Sequence, residues 1–296
     1  MTLLPLLAAL GASFGWASGI VIAQSPAKLL GAFAFTHIQL VACGVLAAVL
    51  TTALGHWHSV PWQFWPAFVF SSVFGILLGN LAMIACLRRG GPRRTELLLS
   101  LKAPIVGGIA FLWLGEVPAP ADILGATITL IGVCIAILFG TNTQSQSDAR
   151  FAPLLHIVGL GVVATALQGA GFLAMKPALE AGLSPIAATA LRLLGAAALI
   201  SVMACLPMKA VKPHKALNTQ LLGKTILPGV IGYMFASSLL LFAFAHLDAG
   251  IAATLGALSP VLILPILWAK ERLRPHPMAL MGALIAVSGT AVIALL

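Results

Sequence analysis

Few side chains in this chain could do chemistry, and the ones that could stand inside long apolar runs. Lys102 lies in LLLSLKAPIVGG, two residues before Pro104, and Arg192 lies in AATALRLLGAA. A full charge at hydrocarbon depth costs between roughly 2.5 and 17 kcal/mol, so each is a functional candidate by default. The ammonium of Lys102 could bind a carboxylate or phosphate on a substrate. Its alternatives are snorkelling to the basic edge beside Arg93 and Arg94, or pairing with Glu96. For Arg192 a clamp on helix-end carbonyls competes with ligand binding, and the fixed fork of a guanidinium suits both. His37 and His246 stand near the ends of their runs, where a bonded interfacial histidine competes with a ligand or proton role. Asp248 is expected to cap a helix. Trp16, Asn80, Gln168 and Tyr233 are further large or polar side chains well inside apolar runs, and Gln39 stands in FTHIQL. Amide and phenol groups in hydrocarbon need partners, which neighbouring helices or a polar cavity could supply. Trp16 could stack on a substrate or pack against a neighbour. No acidic residue falls clearly at mid-membrane, which weakens a proton-coupled antiport.

Soluble catalytic patterns are missing. The chain has no HExxH, Walker loop or CxxC, and its GxSxG, GASFG at 11–15, lies inside an apolar run rather than on a strand-to-helix turn, so no hydrolase, metal or nucleotide chemistry is indicated. No enzyme activity, cofactor or metal is expected. Cys43, Cys86, Cys134 and Cys205 lie in or at the edge of apolar runs and read as small buried packing residues.

Composition decides what holds these residues in place. Hydrophobic residues make up 60% of the chain and charged residues 8%, against about 25% charged in a soluble domain. So few charges cannot cover a soluble surface. The apolar runs approach the roughly 20 residues that cross a bilayer as a helix. They are apolar all round, which excludes the alternation of a spanning β-barrel. An all-α integral membrane protein follows. Ten transmembrane helices are predicted at approximately 3–23, 33–54, 66–87, 95–114, 122–140, 154–174, 186–206, 226–246, 250–268 and 277–296. Glycines at 11, 15 and 19, and at 75 and 79, leave bare helix faces suited to close packing or to lining a path.

The chain also repeats itself. LKAPIVGGIAFLWLGEVPAPADILGATITLIGVCIAILF (101–139) returns in looser form as ALSPVLILPILWAKERLRPHPMALMGALIAVSGTAVIAL (257–295). Pro104 matches Pro260, Glu116 matches Glu271, and glycines seven apart recur at 125/132 and 282/289. Thr36 and Gln39 likewise fall opposite Thr189 and Arg192. The polar stretch 141–153 is the linker. Five spans lie on each side of it, and an odd number per half forces opposite orientations, so two inverted five-helix repeats are expected. Alternation then puts thirteen Lys and Arg on one side of the membrane, Lys176 alone on the other, and Lys102 and Arg192 within spans. The positive-inside rule makes the basic side cytoplasmic and places both termini outside. The formal charge of +9 is thereby explained by topology and anionic lipid headgroups, with no case for nucleic acid.

Pro104, Glu116, Gly125 and Gly132, with their echo in Pro260, Glu271, Gly282 and Gly289, resemble the paired EamA domains of the drug/metabolite transporter superfamily. Ser184, Pro185 and Arg192 resemble the family's second and seventh helices, although the first half carries Gln39 where arginine is common. The resemblance covers essentially the whole chain: a first EamA-like half at 1–140, the linker, and a second half at 154–296. It implies ten helices around a central cavity, with spans five and ten peripheral, in a carrier that often exports amino acids or their derivatives. Bacterial aromatic amino acid exporters belong to this group, and their first-helix tryptophan matches Trp16. Many bacterial members are drawn with both termini cytoplasmic, against the charge count of this chain.

The reading that follows is a secondary transporter of small polar metabolites in the cell inner membrane, an exporter or facilitator of amino acids or derivatives. The alternative is a carrier or flippase for an anionic or lipid-linked amphiphile. The expected partners are a small-molecule substrate and the lipid bilayer, with the monomer as working unit. Trp16, His37, Gln39, Asn80, Lys102, Gln168, Arg192 and Tyr233 are the candidate substrate contacts. Pro104, Pro260 and Pro265 are candidate bending points for alternating access, a static kink being the alternative. A small-solute carrier should enclose a polar cavity of a few hundred Å3.

Overall fold

The computed structural model describes residues 3–139, 154–205, 217–271 and 276–295. The 141–153 linker, Arg150, Lys209, Lys212, Lys215, Arg272 and Arg274 fall outside the described residues. Apolar runs with every backbone group bonded within the segment become helices, as hydrocarbon requires, and no strand occurs among the described residues. The first half carries α1 (Leu3–Leu30), α2 (Ala32–Ala53), α3 (Trp65–Phe70), a π-helical segment (Ser71–Leu78), α4 (Gly79–Ser100), α5 (Lys102–Leu114) and α6 (Pro120–Leu138). The second carries α7 (Leu154–Leu173), α8 (Lys176–Glu180), α9 (Pro185–Ala204), α10 (Thr219–Gly229), a π-helical segment (Val230–Ala236), α11 (Ser237–His246), α12 (Ala249–Gly256), α13 (Ser259–Glu271) and α14 (Pro277–Leu295).

Seven stretches are long and apolar enough to cross a membrane. The other three expected spans fall on shorter apolar helices, Leu98–Leu114, Pro120–Ile135 and Pro277–Gly289. The fourth expected span is short for an identifiable reason. Gly91, at φ 75°, adopts a backbone open to glycine and separates two helical pieces inside α4, with Pro92 opening the second. A further interruption comes at Leu101, between α4 and α5, and its counterpart falls at Ala257 and Leu258, between α12 and α13. Both precede a proline, Pro104 or Pro260, whose missing N–H cannot bond the carbonyl four residues back. Pro265 lies inside α13.

The repeated glycines pack against each other. A side chain on Gly132 of α6 would collide with the backbone of Ala286 and Gly282 on α14. One on Gly289 would meet the nitrogen of Thr129 at 2.5 Å and the carbonyl of Gly125 at 2.7 Å. Helices α6 and α14 thus form a backbone-to-backbone seam of the small-residue kind used in membranes. Gly15 and Gly75 do similar work: a β-carbon would come within 2.9 Å of Ala236 and within 2.8 Å of Gly171, respectively. Close packing is therefore the first use of the glycine faces.

Beyond Trp16, toward the N-terminus of α1, the interior is shut. Leu6, Ala9 and Ala12 join Phe172, Leu240, Phe244 and Leu247 in the largest apolar cluster. The cysteine expectation holds for Cys43 and Cys86, which are buried, but Cys205 is exposed. It caps the C-terminal end of α9.

Candidate functional site

One cavity, of about 80 Å3, gathers side chains from both halves. Its walls come from α1 (Trp16, Gly19, Ile20, Ala23), α2 (Phe35, Gln39), α4 (Asn80, Met83, Ile84, Leu87, Glu96, Leu99), α5 (Lys102), α7 (Gln168), α10 and the π segment after it (Pro228, Gly232, Tyr233), and the α12–α13 break (Gly256, Ser259). Neither α6 nor α14 contributes. The volume is smaller than the few hundred Å3 expected, because Lys102, Trp16 and Tyr233 themselves reach into the middle.

Lys102 is 5% exposed. Its ammonium sits 4.6 Å from the ring centroid of Trp16 and 5.6 Å from that of Phe172. Trp16 in turn meets Phe172 edge-on at 5.9 Å. Aromatic faces attract a cation, by about 2 kcal/mol or more when desolvated, yet they leave its three N–H donors without acceptors. No ion pair or hydrogen bond to Lys102 occurs among the described residues. It does not snorkel, and it makes no direct salt bridge to Glu96 across the break at Leu101.

Glu96 is a buried carboxylate, although the sequence placed no acidic residue clearly at mid-membrane. It is 2% exposed and lines the same cavity. The Ser259 hydroxyl, at the first residue of α13, donates to its Oε2 at 2.7 Å. The sequence offered Glu96 only as a possible partner of Lys102, because it stands at the start of the fourth predicted span beside the basic stretch at 93–94. The signal was the glycine-proline pair at 91–92, which restarts the helix ahead of it.

Around these charges stand polar groups with capacity to spare. Gln168 Nε2 donates to Asn80 Oδ1 at 3.2 Å and approaches the Met83 sulfur at 3.4 Å. Asn80 Nδ2 and the Tyr233 hydroxyl are buried without a hydrogen-bond partner among the described residues. Buried donors left unmade cost roughly 1–3 kcal/mol each, so both are poised for a ligand or water. Asn80 stands two residues beyond one π-helical segment and Tyr233 sits within the other. Such turns are frequent at functional sites because they re-aim side chains.

The remaining candidates sit differently. Gln39 touches the cavity, but its Nε2 is committed to the Thr225 carbonyl of α10 at 2.8 Å. Arg192 is fully buried outside the lining. Its Nε donates to Ser71 Oγ at 2.7 Å and one terminal nitrogen to Ser237 Oγ at 3.2 Å. Its guanidinium carbon lies 4.1 Å from the Phe172 centroid, and its other terminal nitrogen has no partner among the described residues. Gln39 and Arg192, opposite each other in the repeat, thus each tie their helix to the other half of the chain. His37 bonds Ser201 Oγ at 3.1 Å across α2 and α9, and His246 Nδ1 bonds Phe242 O within its own helix. Neither lines the cavity.

Asp248 makes no side-chain cap. The backbone N–H of Ala249 instead donates to Glu116 Oε2 at 2.7 Å, and Lys176 pairs with Glu116 Oε1 while donating to the Leu247 carbonyl at 3.2 Å. Lys176, expected in a loop, is buried. Glu116 from the first half is thereby clasped to two groups of the second, the Lys176 ammonium and the Ala249 N–H, at the end of the molecule away from Glu96. The side chain of Glu271, its partner in the repeat, lies outside the described residues.

Comparison with known proteins adds three findings. The EamA-like transporter family matches twice, over residues 3–138 and 155–295. A WAT1-related protein of Arabidopsis thaliana is 25% identical over 142 residues, which is 46% of this chain and 37% of that protein. The match thus spans little more than a third of that relative's length. A solved crystal structure superposes with a TM-score of 0.78 at 18% identity, covering 98% of this chain and 96% of that one, which establishes a shared fold.

Proposed function

The chain belongs to the EamA-like transporter family, and from that premise we propose that it carries small carboxylate-bearing metabolites, amino acids or their derivatives, across the cell inner membrane. The family places it among multi-pass membrane transporters of small solutes. The observation that supports a carboxylate is Lys102: a buried ammonium that faces a cavity, touches only aromatic rings and has all its donors to give. Charge-assisted hydrogen bonds to a carboxylate are the strong ones. Asn80 Nδ2 and the Tyr233 hydroxyl offer further donors in the same space. Exporter or facilitator are the directions we favour.

The working cycle we propose is alternating access between two inverted five-helix halves, ten spans in all. The cavity wall on α1 runs from Trp16 toward Lys28, and on α4 from Asn80 toward Arg88. With the basic loops cytoplasmic, the cavity sits on the cytoplasmic side of Trp16. Lys176 and Glu116, together with the large apolar cluster, close the opposite side. Pro104 and Pro260, next to the two helix breaks, are the bending points in this scheme. A lipid-linked substrate fits the site less well, since the carboxylate of Glu96 in the cavity wall would repel a polyanionic headgroup.

Counterflow in proteoliposomes tests the proposal, using neutral, aromatic, basic and acidic amino acids and phosphorylated metabolites, with and without a proton gradient. Exchange of amino acids is the expected result. Silence across the panel from intact protein, together with lipid scrambling, would replace this reading with the flippase.

A further inference from the structure

Glu96 has no place in carboxylate recognition, yet it is held in the wall of the same cavity as Lys102. Burying an ionised carboxylate is expensive unless something compensates it. Ser259 supplies one hydrogen bond, to Oε2, while Oε1 takes no hydrogen bond among the described residues. Ser259 is also the first residue of α13, so the positive end of that helix lies close by and helps hold the charge. That arrangement fixes the carboxylate in position and leaves half of its accepting capacity open.

We infer that Glu96 is the amine-binding pole of the site, so that the transported solute is a zwitterion, with its carboxylate at Lys102 and its ammonium at Glu96. This rests on the carrier reading above and narrows it. Lys102 and Glu96 face one cavity with no direct salt bridge between them among the described residues, and a zwitterion placed between them bonds both at once. A simple carboxylic acid bonds only Lys102, so it should bind more weakly by the worth of a charge-assisted bond. The rest of the wall is largely apolar, with Ile20, Phe35, Met83, Ile84 and Leu87. The zwitterion should therefore carry an apolar side chain. The two breaks, at Leu101 and at Ala257–Leu258, adjoin Lys102 and Ser259, so the first half brings both poles to the cavity and the second half anchors one of them.

The test is direct binding to the purified, detergent-solubilised full chain by calorimetry. L-leucine, L-methionine and L-phenylalanine are each compared with the des-amino acid of the same side chain. Wild type should bind the amino acid at least tenfold more tightly than its des-amino partner. In Glu96→Gln the amide oxygen still accepts from Ser259, so the anchor survives while the charge is lost. The preference should then fall to within about twofold, with des-amino affinity retained or improved. Glu96→Asp, which keeps the charge, should keep the preference. A residue that only anchors α13 would alter the melting temperature in Glu96→Gln and leave the preference intact, and that result overturns the proposal. Equal wild-type affinity for the two members of each pair overturns it as well, even if no variant folds. Both results leave the carboxylate carrier standing. Wild type that binds none of the six compounds also overturns the zwitterion, and the broader counterflow panel then decides whether the carrier reading falls with it.

Discussion

Lys102 and Arg192 are both buried cations, and the structure separates them by what they touch. Arg192 spends its donors on two serine hydroxyls and its flat face on Phe172. It joins helices. Lys102 touches only ring faces, so its bonding capacity faces the cavity. Replacing Lys102 with Ala should weaken affinity for carboxylate-bearing substrates about 10- to 100-fold, the worth of a hydrogen bond to a charged group. The melting temperature should hold, since no protein hydrogen bond among the described residues is lost. Substrate titrations of the purified variant check this, and unchanged affinity in a folded protein would return Lys102 to a structural role.

At the scale of elements, the stiffest contact is the α6–α14 seam. The β-carbon of any residue but glycine at 132 would strike the α14 backbone rather than a movable side-chain tip. Gly132→Val should therefore cost at least the roughly 1–3 kcal/mol of ordinary overpacking, seen as a lower melting temperature in detergent. Gly108→Ala is the control, because nothing lies within 4 Å of its added carbon. Equal stability of the two variants would show that the seam is loose. The helices around the cavity are built oppositely. Breaks at Leu101 and Ala257–Leu258, and π turns at Ser71–Leu78 and Val230–Ala236, interrupt the regular ladder on the elements that line it.

For the whole molecule, the Lys176–Glu116 clasp joins the two halves opposite the cavity. Both side chains are largely buried, but Lys176 also has Glu180 at 3.9 Å and the Leu247 carbonyl, so removing Glu116 leaves it partly compensated. Glu116→Ala should therefore lose less than the roughly 3–5 kcal/mol of a fully stranded buried charge. A double variant, Glu116→Leu with Lys176→Met, should recover much of it, and a double-mutant cycle on melting temperature reads the coupling. Additive effects would mean that the clasp contributes nothing. Orientation is a separate matter. The thirteen-to-one division of Lys and Arg predicts that a reporter fused after the last residue is active outside the cytoplasm. Activity confined to the cytoplasm would overturn the charge assignment and, with it, the side on which the cavity sits.

Read by itself, the chain determined that it is helical, that it lives in a bilayer and that it is a duplication. Each of these follows from composition and periodicity summed over many residues, where single errors average out. It also named Trp16, Asn80, Lys102, Gln168 and Tyr233, because a polar or bulky group in a long apolar run stands out wherever the run folds. Tertiary structure alone decided which of these share a cavity. His37 and Arg192 carry the same local signal as Lys102, but their neighbours are serines on adjacent helices. Glu96 was named only as a possible partner of Lys102 for the converse reason: it stands next to a basic stretch, and the turn at Gly91 and the arrival of Ser259 from 163 residues away make it a cavity group. Asp248 looked like a cap, and the cap came from Glu116, 133 residues distant. Local pattern reports the cost of burying a group; which distant atom meets that cost is settled when the helices pack.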